Sequence, residues 1–189
     1  YCVPMVIEES SVVAAASYAA KFWATRGGFH AEVLGMEKVG QVHFTWTGPV
    51  KVLQFHLPEI ERRMRNSAAN ILRNMESRGG GVTEVKLVDL SNVEANLFHL
   101  FVSFDTQDSM GANFINSVLE DFAKTLTYYA NTTEELREKG DLEVIMAILS
   151  NYTPNCRVKA WVQCPIEDLG SVEDLPAKDF ANKFRKAIR

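Results

Sequence analysis

Two β-rich runs, residues 83–90 and 97–105, are separated only by the short stretch 91–96. A connection that brief is the length expected of antiparallel neighbours, so the two runs are expected to form a hairpin. Every other element of the middle of the chain has to be arranged around that hairpin. Upstream, residues 41–47 alternate, with Val42, Phe44 and Trp46 on one face and Gln41, His43, Thr45 and Thr47 on the other. That is the period of a half-buried strand. A helical stripe follows, Ile60, Met64, Ala68, Ile71 and Met75, with Pro58 at its expected first position and Gly79, Gly80 and Gly81 to stop it. Downstream of the hairpin, Ile115, Val118, Leu119, Phe122, Leu126 and Tyr129 mark a second helix fading near Asn131. Residues 144–149 form the next strand, 151–155 a turn, and 157–163 one additional strand.

The resulting order is strand, helix, strand, strand, helix, strand, then one strand more. It is the split βαβ order of a ferredoxin-like sandwich, and the fold class is α+β. Two helices flank it. Residues 12–25 are Ala-rich, with Ser10 or Ser11 as the expected N-cap, a basic Arg26 at the end and Gly27 and Gly28 to terminate the turn. A last helix begins near Pro176 and carries Phe180, Phe184 and Ile188. Both lie outside the split unit and are expected to belong to a second body that the chain holds only in part. The chain opens at Tyr1, inside an apolar segment, as expected of a piece of a longer polypeptide.

Charge narrows the function classes. Lys plus Arg number 20 against 24 for Asp plus Glu, a formal charge of -4, so the basic footprint of a polyanion-binding protein is missing. Phe101-Val102-Ser103-Phe104 does match the tail of the RNA-recognition motif, which shares the strand order. The basic and glycine positions of that motif are absent, and most of these aromatics are more simply sandwich core. The cysteines, Cys2, Cys156 and Cys164, show no CxxC spacing, which fits a reducing, cytoplasmic setting. No apolar run reaches the roughly 18 to 20 residues of a membrane span. His30, His43, His56 and His99 are scattered, without the helical spacing of a metal site.

Two places remain for chemistry. Asp108-Ser109-Met110-Gly111-Ala112-Asn113 is a loop opening a helix, where free backbone N–H groups and the helix dipole favour an anion such as phosphate, although plain capping uses the same residues. Asp108 would repel a phosphate and suits a ribose hydroxyl or an amide better. Glu8 and Glu9 stand between an apolar run and a helix start. A carboxylate there can hand over a proton where burial favours its neutral form, while the positive helix end favours the anion; dipole complementation is the commoner use. The Gly79 to Gly81 run lacks the Gly-Lys-Ser/Thr ending of a P-loop, and no Gly-x-Ser-x-Gly elbow supports a hydrolase.

The stretch Val3-Pro4-Met5-Val6-Ile7-Glu8-Glu9-Ser10-Ser11-Val12-Val13-Ala14-Ala15-Ala16-Ser17 closely resembles a signature of the class II, bacterial-type 3-hydroxy-3-methylglutaryl-coenzyme A reductases. The Asp108 to Asn113 loop resembles the same family's cofactor motif, with Ser109 where alanine is usual, and Ile148-Leu149-Ser150-Asn151 and the triple glycine have counterparts too. The resemblance runs from about residue 3 to 166. It implies an oxidoreductase of isoprenoid biosynthesis that reduces 3-hydroxy-3-methylglutaryl-coenzyme A to mevalonate and coenzyme A with two hydrides from NADPH or NADH. Glu9 then matches the catalytic glutamate that protonates the aldehyde oxygen. Ser11 and Asn151 match positions near the acyl substrate, and Asp108, Met110, Gly111, Ala112 and Asn113 the loop that meets the dinucleotide. The resemblance also implies a homodimer or higher homo-oligomer with shared sites.

On the same basis residues 1–34 and 167–189 are expected to belong to the large substrate domain, with the ferredoxin-like cofactor domain, 35–166, inserted between them. The family's oxyanion-stabilising lysine, its partner aspartate and its thiolate-protonating histidine fall in motifs beyond Arg189, so the 189 residues alone are expected to be inactive. The position where some NADH-using members carry aspartate falls at Leu72, with Arg73 adjacent, which leaves NADPH or dual use open. The alternative from another class is a ferredoxin-like small-molecule-binding or regulatory domain without catalysis.

Overall fold

The computed structural model describes residues 2–5, 9–170 and 174–188. The chain divides into two compact units, Leu34–Arg157 and Tyr1–Val33 with Val158–Arg189. It passes between them inside two strands, β1 (His30–Trp46) and β5 (Cys156–Trp161).

In the first unit the remaining elements are α2 (Val50–Ser67), α3 (Ala69–Glu76), β2 (Gly81–Asp89), β3 (Leu97–Asp105), α4 (Ala112–Thr132), α5 (Glu134–Lys139) and β4 (Leu142–Leu149). The helix of the other unit that precedes them is α1 (Ser10–Ala24). The sheet runs β2-β3-β1-β4, every neighbour antiparallel, with β5 pairing β1 off this path. The hairpin of β2 and β3 forms as its short connection requires, and its register shifts between Val82 and Glu84. Because β1 pairs with both β3 and β4, the strand met first in sequence lies inside the sheet. Both helical crossovers therefore pack on one face.

That face is the core. Val42, Phe44 and Trp46 of β1 and Phe98, Leu100, Val102 and Phe104 of β3 meet Ile115, Val118, Leu119, Phe122 and Leu126 of α4, all buried. Alternation on the strands and the 3,4-spaced stripe on α4 thus fill the same layer. A relay of polar groups ties the helices together at one end. His56 of α2 shares hydrogen bonds with the Tyr129 hydroxyl of α4 at 2.9 Å and with Glu135 of α5 at 3.1 Å.

Several expectations need correcting. Pro58 is not the first residue of its helix but lies inside α2, which starts at Val50 after Pro49 at the N-cap. Leu53, upstream of the proline, is buried in the core, and the helix runs on through Pro58, despite the lost N–H, to keep it there. The one helix expected up to the triple glycine is two, α2 and α3, with Ala68 between them. The buried stripe continues through Ala68 and Leu72 to Met75, with Ile71 half-buried against the same core. β1 is 17 residues long, far beyond the alternating part, because its first half has charged and glycine residues that hide the period. α5 carried only a charge order, acids first and bases last, over six residues.

In the other unit, α1 begins at Ser10, and Glu9 rather than Ser10 or Ser11 occupies the N-cap, without a side-chain cap bond. Gly27 and Gly28 take left-handed φ of 92° and 75°, as termination there requires. Arg26 closes that end differently from a simple dipole partner. Its guanidinium lies 3.9 Å over the Phe22 ring and donates to the carbonyls of Phe22 and Asp168, each at 2.7 Å. A 3₁₀ turn at Ile166–Leu169 leads to α6 (Ala177–Ala187), with Pro176 at its N-cap. Tyr18, Phe22, Trp23, Leu169, Phe180 and Phe184 line an apolar groove of about 460 Å³ in this unit. Among the described residues no helix is long and apolar enough to cross a membrane, and no metal-binding group of three His, Cys, Asp or Glu occurs.

The outer sheet face is half-exposed. His43 and His99 pair directly across β1 and β3, rings 5.2 Å apart and edge to face. Burial holds both imidazoles below their usual value of 6.5, and for His99 the neighbouring His43 adds to this. Both therefore bind fewer protons folded than unfolded, so stability should fall as pH drops from about 6.5 through their lowered values, then level off. Urea midpoints between about pH 7 and about pH 5 should show a smaller fall in His99→Gln than in the unsubstituted protein. The two faces of β3 should also differ. Phe104→Ala is expected to cost about 3–5 kcal/mol of unfolding free energy and Phe101→Ala about 1 kcal/mol.

Candidate functional site

The most elaborated loop of the Leu34–Arg157 unit joins β3 to α4. Thr106, fully buried, follows the last strand residue. Gln107 then takes a left-handed φ of 53°, and its N–H donates to Asp105 Oδ1 at 2.7 Å. Ser109 folds back on Thr106: its N–H and its hydroxyl both donate to the Thr106 carbonyl, at 3.1 and 2.8 Å. The Thr106 hydroxyl returns the bond to the Ser109 carbonyl at 2.8 Å.

Gly111 opens α4 at φ 74° and ψ 7°. A Cβ there would stand 2.5 Å from Thr106 Cγ2, so glycine is required both by the backbone angle and by the space. The first turn of α4 contains no acidic residue and its start has no capping side chain. Its N–H groups thus keep the positive character of a bare helix end. The triple glycine packs beneath the loop. A Cβ on Gly80 would meet the Asp105 carbonyl at 2.5 Å, so the turn after α3 lies flat on the end of β3.

Beside this loop is a cavity of about 260 Å³, lined by Lys38, Met110, Ala112, Ile115, Leu149 and Asn151 among others. Asn151 is held at its rim by its neighbour: the Ser150 N–H donates to the Val39 carbonyl of β1 at 2.9 Å. Leu149 N–H donates to Asn116 Oδ1 of α4 at 2.9 Å, which fixes the end of β4 against the helix. Of the residues singled out from sequence, the structure therefore brings Met110, Ala112 and Asn151 to one cavity, with Gly111 forming its helix start. Asp108 and Asn113 are exposed on the same loop and helix turn.

Glu9 and Ser11 belong to the other unit, together at the start of α1. Glu9 is exposed, with extended φ of −140° and ψ of 135°, and its carbonyl accepts the Val12 N–H at 3.2 Å. Ser11 is exposed in the first turn. Glu8 lies outside the described residues.

Two further placements revise the sequence reading. Leu72 is buried, so the position compared with a ribose-reading aspartate faces the core, and only Arg73 beside it reaches the surface, where it donates to Asn70 Oδ1 at 2.7 Å. Lys38 was missed. A single lysine in a strand carries no spacing signal, and only the antiparallel register that sets it opposite Phe104 brings its ammonium to the loop. There it donates to Thr106 Oγ1 at 2.8 Å and to the Ser109 carbonyl at 2.6 Å. A cation and a bare helix start bordering one apolar-walled cavity suit an anionic, partly apolar ligand such as a dinucleotide.

Comparison with known proteins gives one consistent result. The family model described as hydroxymethylglutaryl-coenzyme A reductase matches residues 1–189. The chain is similar to the 3-hydroxy-3-methylglutaryl-coenzyme A reductase of Archaeoglobus fulgidus, 29% identical over 123 residues, 65% of this chain and 28% of that protein. It is similar to the probable enzyme of that name from Borreliella burgdorferi, 30% identical over 190 residues, 100% of this chain and 39% of that protein. Among solved structures it resembles the class II enzyme of Streptococcus pneumoniae described as bound to NADPH in open conformations, at a TM-score of 0.73 and 32% identity. That match covers 99% of this chain and 47% of the other. The chain spans less than half the length of each of these relatives.

The tight fit of Gly111 gives a test of the loop geometry. Gly111→Ala is expected to lower stability by about 1–3 kcal/mol, from left-handed strain and the clash with Thr106. In a Thr106→Ser background, which removes Cγ2 but leaves Cβ 2.8 Å from the added methyl, the same substitution should recover only part of that cost in denaturant titrations.

Proposed function

The chain belongs to the hydroxymethylglutaryl-coenzyme A reductase family, and on that premise we propose that it carries the nicotinamide-dinucleotide-binding part of an enzyme that reduces 3-hydroxy-3-methylglutaryl-coenzyme A to mevalonate and free coenzyme A. The observation that carries the reading is the family match across all 189 residues. The Thr106 to Gly111 loop supplies its physical support.

In this reading Leu34–Arg157 is a ferredoxin-like small domain, in keeping with its sheet order β2-β3-β1-β4 and its helices on one face. The segments around it are parts of the substrate domain. Ala112 and Asn113 offer first-turn N–H groups to the phosphates, Gly111 lets the backbone approach closely, and Asp108 accepts from a ribose or amide. Met110, 77% exposed, offers an apolar contact at the cavity mouth. The bound NADPH or NADH supplies hydride.

Glu9 is the proton donor to the carbonyl oxygen as it becomes an alkoxide, and Ser11 and Asn151 orient the acyl group. The Glu9 carboxylate forms no cap bond with its own helix, which leaves it available for that work. Glu9 is exposed, so the role requires that bound substrate exclude solvent from it. The working enzyme is a homo-oligomer in this reading, and the 189 residues taken alone are catalytically silent.

The test uses the full-length protein. It should oxidise NADPH or NADH in the presence of 3-hydroxy-3-methylglutaryl-coenzyme A and release free thiol. Glu9→Gln should lower kcat by about a hundredfold to ten-thousandfold while leaving the dinucleotide dissociation constant within about twofold. Absence of thioester-dependent oxidation would rule the reading out, and an unchanged kcat in Glu9→Gln would remove Glu9 from it.

A further inference from the structure

We propose that Lys38 is a positioning residue of the dinucleotide site: its ammonium clamps the β3–α4 loop in the conformation that opens α4 toward the cavity. The proposal rests on the reductase reading of that cavity.

Lys38 stands on the strand that is paired on both sides further along, and its own register partner is Phe104 at the end of β3. Its backbone is therefore fixed, and the ammonium reaches the loop from a rigid base. It donates to Thr106 Oγ1 at 2.8 Å and to the Ser109 carbonyl at 2.6 Å, while Thr106 Oγ1 donates to that same carbonyl at 2.8 Å. Three groups thus close a ring across the loop. A hydrogen bond from a charged donor is about twice as strong as a neutral one, and this ring includes two.

The loop needs such ties. It contains left-handed backbone at Gln107, φ 53°, and at Gly111, φ 74°, and a left-handed glutamine costs about 1–2 kcal/mol. Lys38 also forms no ion pair among the described residues. Its charge is spent on neutral acceptors beside a cavity rather than cancelled by a carboxylate. That uncancelled charge favours an anion arriving beside it.

Lys38→Met, Lys38→Arg and Thr106→Val in the full-length protein test this through NADPH titration calorimetry and through hydrogen exchange of the nucleotide-free protein. Lys38→Met should weaken NADPH binding about tenfold or more and speed exchange at 107–111, with the KM for the acyl thioester within about twofold. Lys38→Arg should recover most of the affinity. Thr106→Val should move both readouts the same way, and the double variant Lys38→Met with Thr106→Val should be no worse than the worse single one, since both break one ring.

Unchanged NADPH affinity in Lys38→Met, or equal rises in both KM values with loop exchange unaltered, would overturn the proposal and leave the functional reading standing. If Lys38→Met does not fold, unchanged affinity in Thr106→Val overturns it equally. Failure of the unsubstituted protein to bind NADPH or NADH would instead remove the functional reading, and this proposal with it.

Discussion

The register of β1 against β3 sets Val42 opposite Leu100 and Phe44 opposite Phe98, and the rest of the Leu34–Arg157 unit depends on that pairing. A slip of one residue would turn the apolar face of β1 outward and put His43, Gln41 and Thr45 against α4. The two inner rows of side chains then make a single surface, which is long enough to receive both α2 and α4. Because α4 must lie on that surface, its start is fixed at one end of β3, and the loop between them has to turn within the few residues from Thr106 to Gly111.

The candidate site is a consequence of this tight turn. The chain leaving β3 and entering α4 passes through left-handed backbone at Gln107 and Gly111. The residues that could serve a ligand are the ones that make the turn possible: Gly111 by its missing Cβ, Thr106 and Ser109 by their reciprocal bonds, Gly80 by lying flat beneath Asp105. Fold and site are therefore one problem in this segment, and a change made for binding would also be felt in stability.

Much of the fold was legible because its elements are strongly periodic. The β3 limits, 97–105, came straight from two alternating faces, and the α4 stripe from Ile115 to Tyr129 is buried at every position named. Legibility failed where periodicity is diluted or a local rule is overridden. Gly35, Glu37, Lys38 and Gly40 concealed the first part of β1, and only its pairing partners make it a strand. Pro58 suggested a helix start because proline is favoured there, but burial of Leu53 outweighed the lost hydrogen bond. Ile71, named from its spacing, is half-buried against the core, while Leu72 beside it, which the stripe left out, is fully buried.

By itself, the sequence determined which segments alternate, which follow a helical stripe, where glycine must end a turn and which motifs resemble a reductase family, because all of these are set by neighbours within a few residues. The tertiary structure alone decided that Lys38 reaches Thr106 across 68 positions, that Asn151 shares a cavity with Met110, and that the two histidines His43 and His99 face each other. Those meetings depend on strand register and on the packing of a helix across a sheet. No local pattern encodes them, since the residues involved become neighbours only when distant segments pair.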